Sequence, residues 1–297
     1  MATVAFIGLG IMGRPMAVNL VKAGFDVRGF SRTGRSRDAA AAQGVPIVGS
    51  LDAAVADADV VITMLPDTPD VEAVALGDGG ALAGMRRGAL YIDMSTIDPE
   101  GALRVHDAAA RAGIGCLDAP VSGGEVASIE GTLSIMAGGT REDFDAAREL
   151  FYAIGASAIL VGGAGSGQVV KAANQLMVAG HLQMLAEAIV LLKAHDVDER
   201  GALAVLGAGL AGSTVLARKQ NAILEQDYRP GFRVELHNKD LAIVQNAARR
   251  KGVALPATAL VSQFMQALVA QGYGALDHSA LYLLADELNT RRAEAMV

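Results

Sequence analysis

The run Gly8-Leu9-Gly10-Ile11-Met12-Gly13 follows the apolar stretch Val4-Ala5-Phe6-Ile7 directly and opens a helix-like segment over residues 11–23. A strand, a tight glycine turn and a helix in that order build a seat for a pyrophosphate. Gly8 permits the turn, Gly10 lets the backbone come close to the phosphates, and Gly13 lets helix and strand pack closely. The helix N-terminus adds unpaired N–H groups and the positive end of its dipole. The whole turn, with the backbones of Leu9, Ile11 and Met12, is therefore expected to bind a dinucleotide.

The rest of the first half repeats the alternation. Strands are expected at 4–7, 27–30, 60–65, 90–94, 115–119, 134–137 and 159–161, and helices at 11–23, 51–56, 99–112 and 142–154. Such alternation predicts an α/β domain, a Rossmann-type doubly wound parallel sheet covered on both faces. Ligands on such a sheet bind beyond the carboxyl ends of the strands. That rule selects Leu65-Pro66, Ser95-Thr96 and Pro120-Val121-Ser122 for inspection.

After Gly162-Gly163-Ala164-Gly165 the pattern changes. Residues 166–194 read as one connecting helix, with Ser166 as its expected N-cap. Only helical patterns follow, at 203–206, 215–224, 238–251 and 256–271. The expected organisation is a nucleotide-binding domain over residues 1–163 and an all-α substrate and oligomerisation domain over 164–297. The sparsely charged connecting helix must bury much of its surface, within its domain or against another subunit, so a homodimer or homotetramer is expected.

At 297 residues the chain can hold two cores, and a hydrophobic fraction of 52% excludes disorder. A net charge of −7 argues against nucleic-acid or anionic-membrane partners. The single cysteine, Cys116, rules out an internal disulfide and reads as a small buried strand residue. The N-terminus lacks the pattern of a signal peptide. The longest apolar candidate for a membrane span, 176–186, contains His181 and Gln183 and stops at Glu187, so no span is expected. These features together point to the cytoplasm. The histidines stand isolated in the sequence, and no His, Asp, Glu or Cys group has metal-ligand spacing.

The second strand ends Gly29-Phe30-Ser31-Arg32-Thr33, without the acid that usually grips the ribose hydroxyls of NAD. Arg32, flanked by Ser31 and Thr33 and followed by Arg35 and Arg37, can pair with a 2′-phosphate. NADP(H) is therefore the expected cofactor, with NAD(H) the second choice.

Lys171 is the only charge between Glu149 and Glu187 if histidine is counted neutral. A lysine on a mostly buried helix is costly unless its head reaches a cavity or an anionic ligand; the alternative is an ammonium that snorkels to solvent. Asn174 and Gln175 lie on the same helix face, and an ammonium beside an amide can bind a substrate oxygen and protonate it. Asp118-Ala119-Pro120-Val121-Ser122-Gly123-Gly124 supplies a hydroxyl and a run of amides that can cradle a carboxylate. Lys239 is either a second site cation or a paired surface charge.

Four ordered motifs make the chain resemble the β-hydroxyacid dehydrogenases, the group that includes 3-hydroxyisobutyrate dehydrogenase and tartronate semialdehyde reductase. They are Phe6-Ile7-Gly8-Leu9-Gly10-Ile11-Met12-Gly13, the Asp118–Gly124 run, Gly167-Gln168-Val169-Val170-Lys171, and Lys239-Asp240-Leu241. The resemblance implies that Lys171 is the general acid/base and that Ser122, Gly123 and Gly124 hold the substrate carboxylate. It also implies that Lys239 lies near the nicotinamide, and that Leu65, Pro66 and Thr96 line the cofactor. Many members place Asn four residues after the lysine, where this chain has Gln175, with Asn174 before it. Segments such as Ile129-Glu130-Gly131-Thr132-Leu133-Ser134, Leu236-His237-Asn238 and Asp277-His278-Ser279-Ala280-Leu281 are more similar to the tartronate semialdehyde reductase branch.

The resemblance implies reduction of a small aldehyde acid such as tartronate semialdehyde (2-hydroxy-3-oxopropionate) to a hydroxyacid such as glycerate. Alternatives are oxidation of 3-hydroxyisobutyrate or another β-hydroxyacid, an imine reductase on the same scaffold, and a non-catalytic NADP-binding module. Lys171 argues against the last two.

Overall fold

The computed structural model describes residues 2–289. Contacts divide the chain into two compact units, Met1–Lys171 and Ala172–Val297. The border falls inside one continuous helix, directly after Lys171.

The first unit runs β1 (Thr3–Ile7), α1 (Gly13–Lys22), β2 (Asp26–Phe30), α2 (Gly34–Ala41), α3 (Leu51–Val55), β3 (Val60–Thr63), α4 (Thr68–Leu76), α5 (Ala81–Gly84) and β4 (Leu90–Asp93). It continues through α6 (Pro99–Ala112), β5 (Gly115–Asp118), β6 (Val121–Ser122), α7 (Gly124–Glu130), β7 (Leu133–Gly139), α8 (Arg141–Ala146), α9 (Arg148–Ile154) and β8 (Gly155–Gly162). The strands form one sheet in the order β2-β1-β3-β4-β5-β7-β6, with β8 paired to β7. From β2 to β5 the sheet is parallel, as the βαβ alternation dictates. At its far end β7 runs antiparallel to β5 and β6.

Strand periodicity explains the two cores. Val4, Phe6, Ile62, Ile92 and Leu117 face one side, and Ala5, Ile7, Val61, Tyr91 and Cys116 face the other. Because both faces are covered by helices, these strands read as apolar runs. Cys116 is a free thiol in the second of these cores. Register places Ile7, Thr63, Asp93 and Asp118 side by side, so the segments that follow β1, β3, β4 and β5 leave the same edge of the sheet.

The helix α10 (Ser166–Ala194) spans the expected residues. Two expectations about it need correction. Ser166 is its first helical residue, and the carboxylate that accepts its early amides belongs to Asp118 on β5. The helix is also long and apolar enough, by length and composition, to cross a membrane, with a mean hydropathy of 1.5. His181 and Gln183 lower that average without taking it out of the range of a membrane span. Its apolar residues have a packing role, however: Ala179 and Leu182 belong to one core group of the second unit, and Leu185, Ala186 and Ile189 to another.

Beyond α10 the second unit is helical: α11 (Glu199–Ala208), α12 (Thr214–Leu224), α13 (Val234–Arg250), α14 (Pro256–Ala270), a 3-10 turn at His278–Ala280, and α15 (Leu281–Asn289). Asp277, just before that turn, is a clamp. It accepts from Lys219 Nζ on α12, the amides of Gly231 and Phe232, and the Ser279 amide and hydroxyl.

Candidate active site

The glycine turn has the geometry that a dinucleotide requires. Gly8 sits at φ +101°, and a Cβ there would lie 2.2 Å from the Met64 carbonyl oxygen, so only glycine fits. A Cβ on Gly13 would lie 1.9 Å from the Gly8 carbonyl oxygen, which fixes how closely α1 meets the turn. A Cβ on Gly10 would meet nothing within 4 Å, so the space above it is open to a phosphate. Leu9 points its side chain into the core and offers only backbone, whereas Ile11 is exposed. The Met12 carbonyl accepts from Ser128 Oγ.

At the end of β2, Arg32 is exposed and paired with Asp70 on α4 at 2.9 Å. Arg37 donates to the Ser31 carbonyl at 3.2 Å, and Thr33 Oγ1 bonds Ser36 Oγ at 2.8 Å. The segments after β3 and β4 are tied together: the Leu65 amide, just before Pro66, donates to Ser95 Oγ at 2.8 Å. Beside Thr96, the Ile97 amide donates to Gln168 Oε1 at 3.1 Å.

Lys171 does not snorkel. It is 7% exposed, and its Nζ donates to the Val121 carbonyl at 2.7 Å, directly before Ser122. The short strand β6 fixes Val121 and Ser122 against Ile135 and Ser134 of β7. Gly123 then turns at φ +138°, where a side chain would strike Ala127, and Gly124 begins α7. The fold thus brings the sequence-selected lysine and the sequence-selected loop together within the first unit.

Three residues that the sequence reading did not single out lie around this meeting. Asp118 is 1% exposed; its Oδ1 accepts from the Gly165 amide at 2.8 Å and its Oδ2 from the Gln168 amide at 2.9 Å. His106 Nε2 lies 3.0 Å from the same Oδ1. Gln168 is 1% exposed, and its Nε2 donates to the Ser95 carbonyl at 2.8 Å. A Cβ on Gly167 would lie 2.4 Å from the Met136 carbonyl oxygen, so only glycine lets the helix start seat this deeply. Asp118 and Gln168 stand inside the quoted motifs, but their partners are distant in sequence.

In the second unit, Gln175 is buried and both ends of its amide are engaged. Oε1 accepts from Asn174 Nδ2 at 2.7 Å, and Nε2 donates to Asp240 Oδ2 at 2.5 Å. Lys239 Nζ lies 2.9 Å from Asp240 Oδ1, so this lysine is paired and only 19% exposed at its side chain. His237 Nε2 lies 3.2 Å from the Gln175 carbonyl and must donate there; its Nδ1 lies 3.0 Å from His278 Nδ1, so the two imidazoles share a hydrogen bond. The isolation of the histidines in the sequence therefore does not persist in space. Burial, with His237 and Lys219 nearby, holds His278 well below the usual imidazole range. Among the described residues no group of three or more His, Cys, Asp or Glu could hold a metal.

Two family models cover most of the chain. Residues 3–163 match the NAD-binding domain of 6-phosphogluconate dehydrogenase, and residues 165–285 match the NAD-binding model of NADP-dependent 3-hydroxyisobutyrate dehydrogenase. The chain is 37% identical to 2-hydroxy-3-oxopropionate reductase of Escherichia coli, over 93% of this chain and 94% of that one. The chain belongs to the β-hydroxyacid dehydrogenase family. As a family member it is an NAD(P)-binding oxidoreductase acting on a small molecule. It is also 37% identical to an NAD-dependent L-serine dehydrogenase of Pseudomonas aeruginosa, over 96% of this chain and 98% of that one. A solved structure of Mycobacterium tuberculosis 3-hydroxyisobutyrate dehydrogenase with L-serine superposes at a TM-score of 0.88, with 34% identity, covering 98% of this chain and 100% of that one. The β-hydroxyacid dehydrogenases therefore account for both the sheet unit and the helical unit.

Proposed function

We propose that the protein is an NADPH-dependent reductase of a small aldehyde acid, with tartronate semialdehyde as substrate and glycerate as product. The observation that carries this reading is the buried Lys171 ammonium, held 2.7 Å from the Val121 carbonyl at the mouth of the Ser122-Gly123-Gly124 loop. The 37% identity to 2-hydroxy-3-oxopropionate reductase supports the choice of substrate.

The glycine turn and Leu65, Pro66 and Thr96 hold the cofactor, Ser31, Arg32 and Thr33 receive its 2′-phosphate, and Lys239 stands near the nicotinamide. When bound, the cofactor supplies hydride to the carbonyl carbon. Ser122 and the amides of Gly123 and Gly124 grip the carboxylate and so restrict the angle at which the carbonyl is presented. Lys171 donates its proton to the oxygen that becomes the hydroxyl, a contribution of roughly 10²–10⁴-fold in rate. Asn174 orients that oxygen, and Gln175, engaged by Asp240, holds Asn174 in place. On this reading residues 1–163 form the nucleotide domain and 164–297 the substrate and assembly domain.

Self-association as a homodimer or homotetramer belongs to the same reading. Met177, Met184 and Leu191 recur every seven residues on α10 and are 56%, 58% and 62% exposed, an apolar stripe suited to a second copy. Sedimentation would test it.

The identity to an L-serine dehydrogenase favours a second reading, oxidation of L-serine or 3-hydroxyisobutyrate. The test is kcat/KM for tartronate semialdehyde and methylmalonate semialdehyde with NADPH, against L-serine, glycerate and 3-hydroxyisobutyrate with NADP⁺ and NAD⁺. Tartronate semialdehyde leading by tenfold or more is expected. L-Serine or 3-hydroxyisobutyrate leading would transfer the assignment to the second reading.

A further inference from the structure

One buried carboxyl at the carboxyl edge of the sheet has no part in this chemistry. Asp93 closes β4 and is 3% exposed. Its Oδ1 accepts three hydrogen bonds, from Thr63 Oγ1 at 2.8 Å, Ser95 Oγ at 2.6 Å and the Ser95 amide at 3.2 Å. Its Oδ2 is buried and has no hydrogen-bond partner among the described residues. A carboxylate crowded on one oxygen and bare on the other is costly to keep ionised away from water.

Ser95 carries this carboxyl's influence outward. While its hydroxyl donates to Asp93, the same oxygen accepts the Leu65 amide at 2.8 Å. Its carbonyl accepts Gln168 Nε2 at the start of α10. Thus one hydroxyl separates Asp93 from Leu65-Pro66, and one peptide separates Ser95 from Thr96. Ionised, Asp93 is a strong acceptor that locks the Ser95 hydroxyl; neutral, it is a weaker acceptor and the link to Leu65 loosens.

We propose that Asp93 is a positioning residue whose single proton sets how firmly the Leu65-Pro66 and Ser95-Thr96 segments are held for the bound cofactor. The inference rests on reading those segments as the cofactor's lining. The surroundings favour a proton near neutrality: burial pushes the carboxyl up and Asp118 adds to it, against the hydrogen bonds from Ser95 and Thr63, bringing it to about 6. The other titratable groups facing it are Tyr91, whose hydroxyl bonds Thr63 at 2.9 Å, together with Cys116 and Asp118 on β5. Burial raises both the Tyr91 hydroxyl and the Cys116 thiol well above their ordinary values, so neither ionises between pH 5 and 8. His106, bonded to Asp118, is the imidazole of the same cluster.

The test is the NADP⁺ dissociation constant from pH 5 to 8, by calorimetry, for the wild type, Asp93→Asn, Ser95→Ala and His106→Gln. The ratio of variant to wild-type Kd is read at each pH, so that titration of the 2′-phosphate cancels. Asparagine mimics the neutral acid, so the Asp93→Asn ratio is expected to fall from about tenfold at pH 8 towards one at pH 5. A constant ratio overturns the proposal. Ser95→Ala cuts the link while leaving the Asp93 carboxyl in place with one hydrogen bond fewer, and is expected to show the same convergence; it decides the matter if Asp93→Asn does not fold. His106→Gln is expected to leave the wild-type profile in place, and convergence there with none in Asp93→Asn would overturn the role of Asp93. Wild type that binds neither NADP⁺ nor NAD⁺ would overturn the nucleotide reading, and this inference with it.

Discussion

The Asp118 carboxylate accepts the amide hydrogens of Gly165 and Gln168, so the strand leading into the Ser122 loop also fixes the first turn of the helix that carries Lys171. The Ser122 loop and Lys171 are thereby set against each other by a single side chain. Charge-assisted hydrogen bonds of this kind contribute about 1.5–3 kcal/mol each, and removing a buried acceptor leaves its donors unsatisfied.

Asp118→Ala should therefore destabilise the first unit by about 2–4 kcal/mol, visible in denaturant unfolding. Asp118→Asn, which keeps the shape, should fold and lose at least tenfold in kcat while KM for the cofactor moves little. An Asp118→Asn enzyme with wild-type kcat would deny Asp118 its role in aligning Lys171.

Gly10 and Gly13 separate binding from folding. A methyl on Gly13 collides with the Gly8 carbonyl, so Gly13→Ala should abolish cofactor binding and lower Tm. A methyl on Gly10 meets no protein atom within 4 Å, so Gly10→Ala should melt like the wild type and yet bind NADPH at least tenfold more weakly. Unchanged affinity in Gly10→Ala would mean that the phosphates do not pass over this residue.

The pairing of Arg32 with Asp70 bears on cofactor choice. The 2′-phosphate would compete with Asp70 for the guanidinium. Arg32→Ala should reduce kcat/KM for NADPH about tenfold and change the NADH value by less than twofold. Asp70→Asn should raise the NADPH value. Equal losses with both cofactors in Arg32→Ala would remove the guanidinium from the 2′ position.

The buried imidazole pair makes stability depend on pH. With the folded value of His278 depressed, the unfolded chain takes up a proton more readily than the folded one. Stability is therefore lost as pH falls below about 6.5, the ordinary imidazole value. Thermal melts from pH 7.5 to 5 should show the wild type losing more than His278→Gln; parallel curves would contradict this. Asp93 acts with the opposite sign, since its raised value costs stability as pH rises from about 4 to 6.

What the sequence disclosed follows from the range of the interactions involved. The runs at Val4, Val27, Val60 and Leu90 declared their strands because β-branched residues with apolar neighbours cannot be anything else in a doubly covered sheet. The two-residue strand β6 carries no period of its own; it exists because β7 folds back against it. The helix α2 is polar along most of its length and α7 starts on two glycines, so neither shows a helical stripe. The segment 142–154 reads as one helix but breaks at Ala147 into α8 and α9. Lys171 stood out as a lone charge on an apolar helix. Its supports did not, since Asp118 lies 50 residues from Gln168, and His237 lies 41 from His278.

The measurement that tests the account most directly is single-turnover reduction of tartronate semialdehyde by Lys171→Ala beside NADPH binding to the same variant. The expected result is unchanged NADPH affinity with hydride transfer slowed by roughly 10²–10⁴-fold. Turnover at the wild-type rate in Lys171→Ala would contradict it.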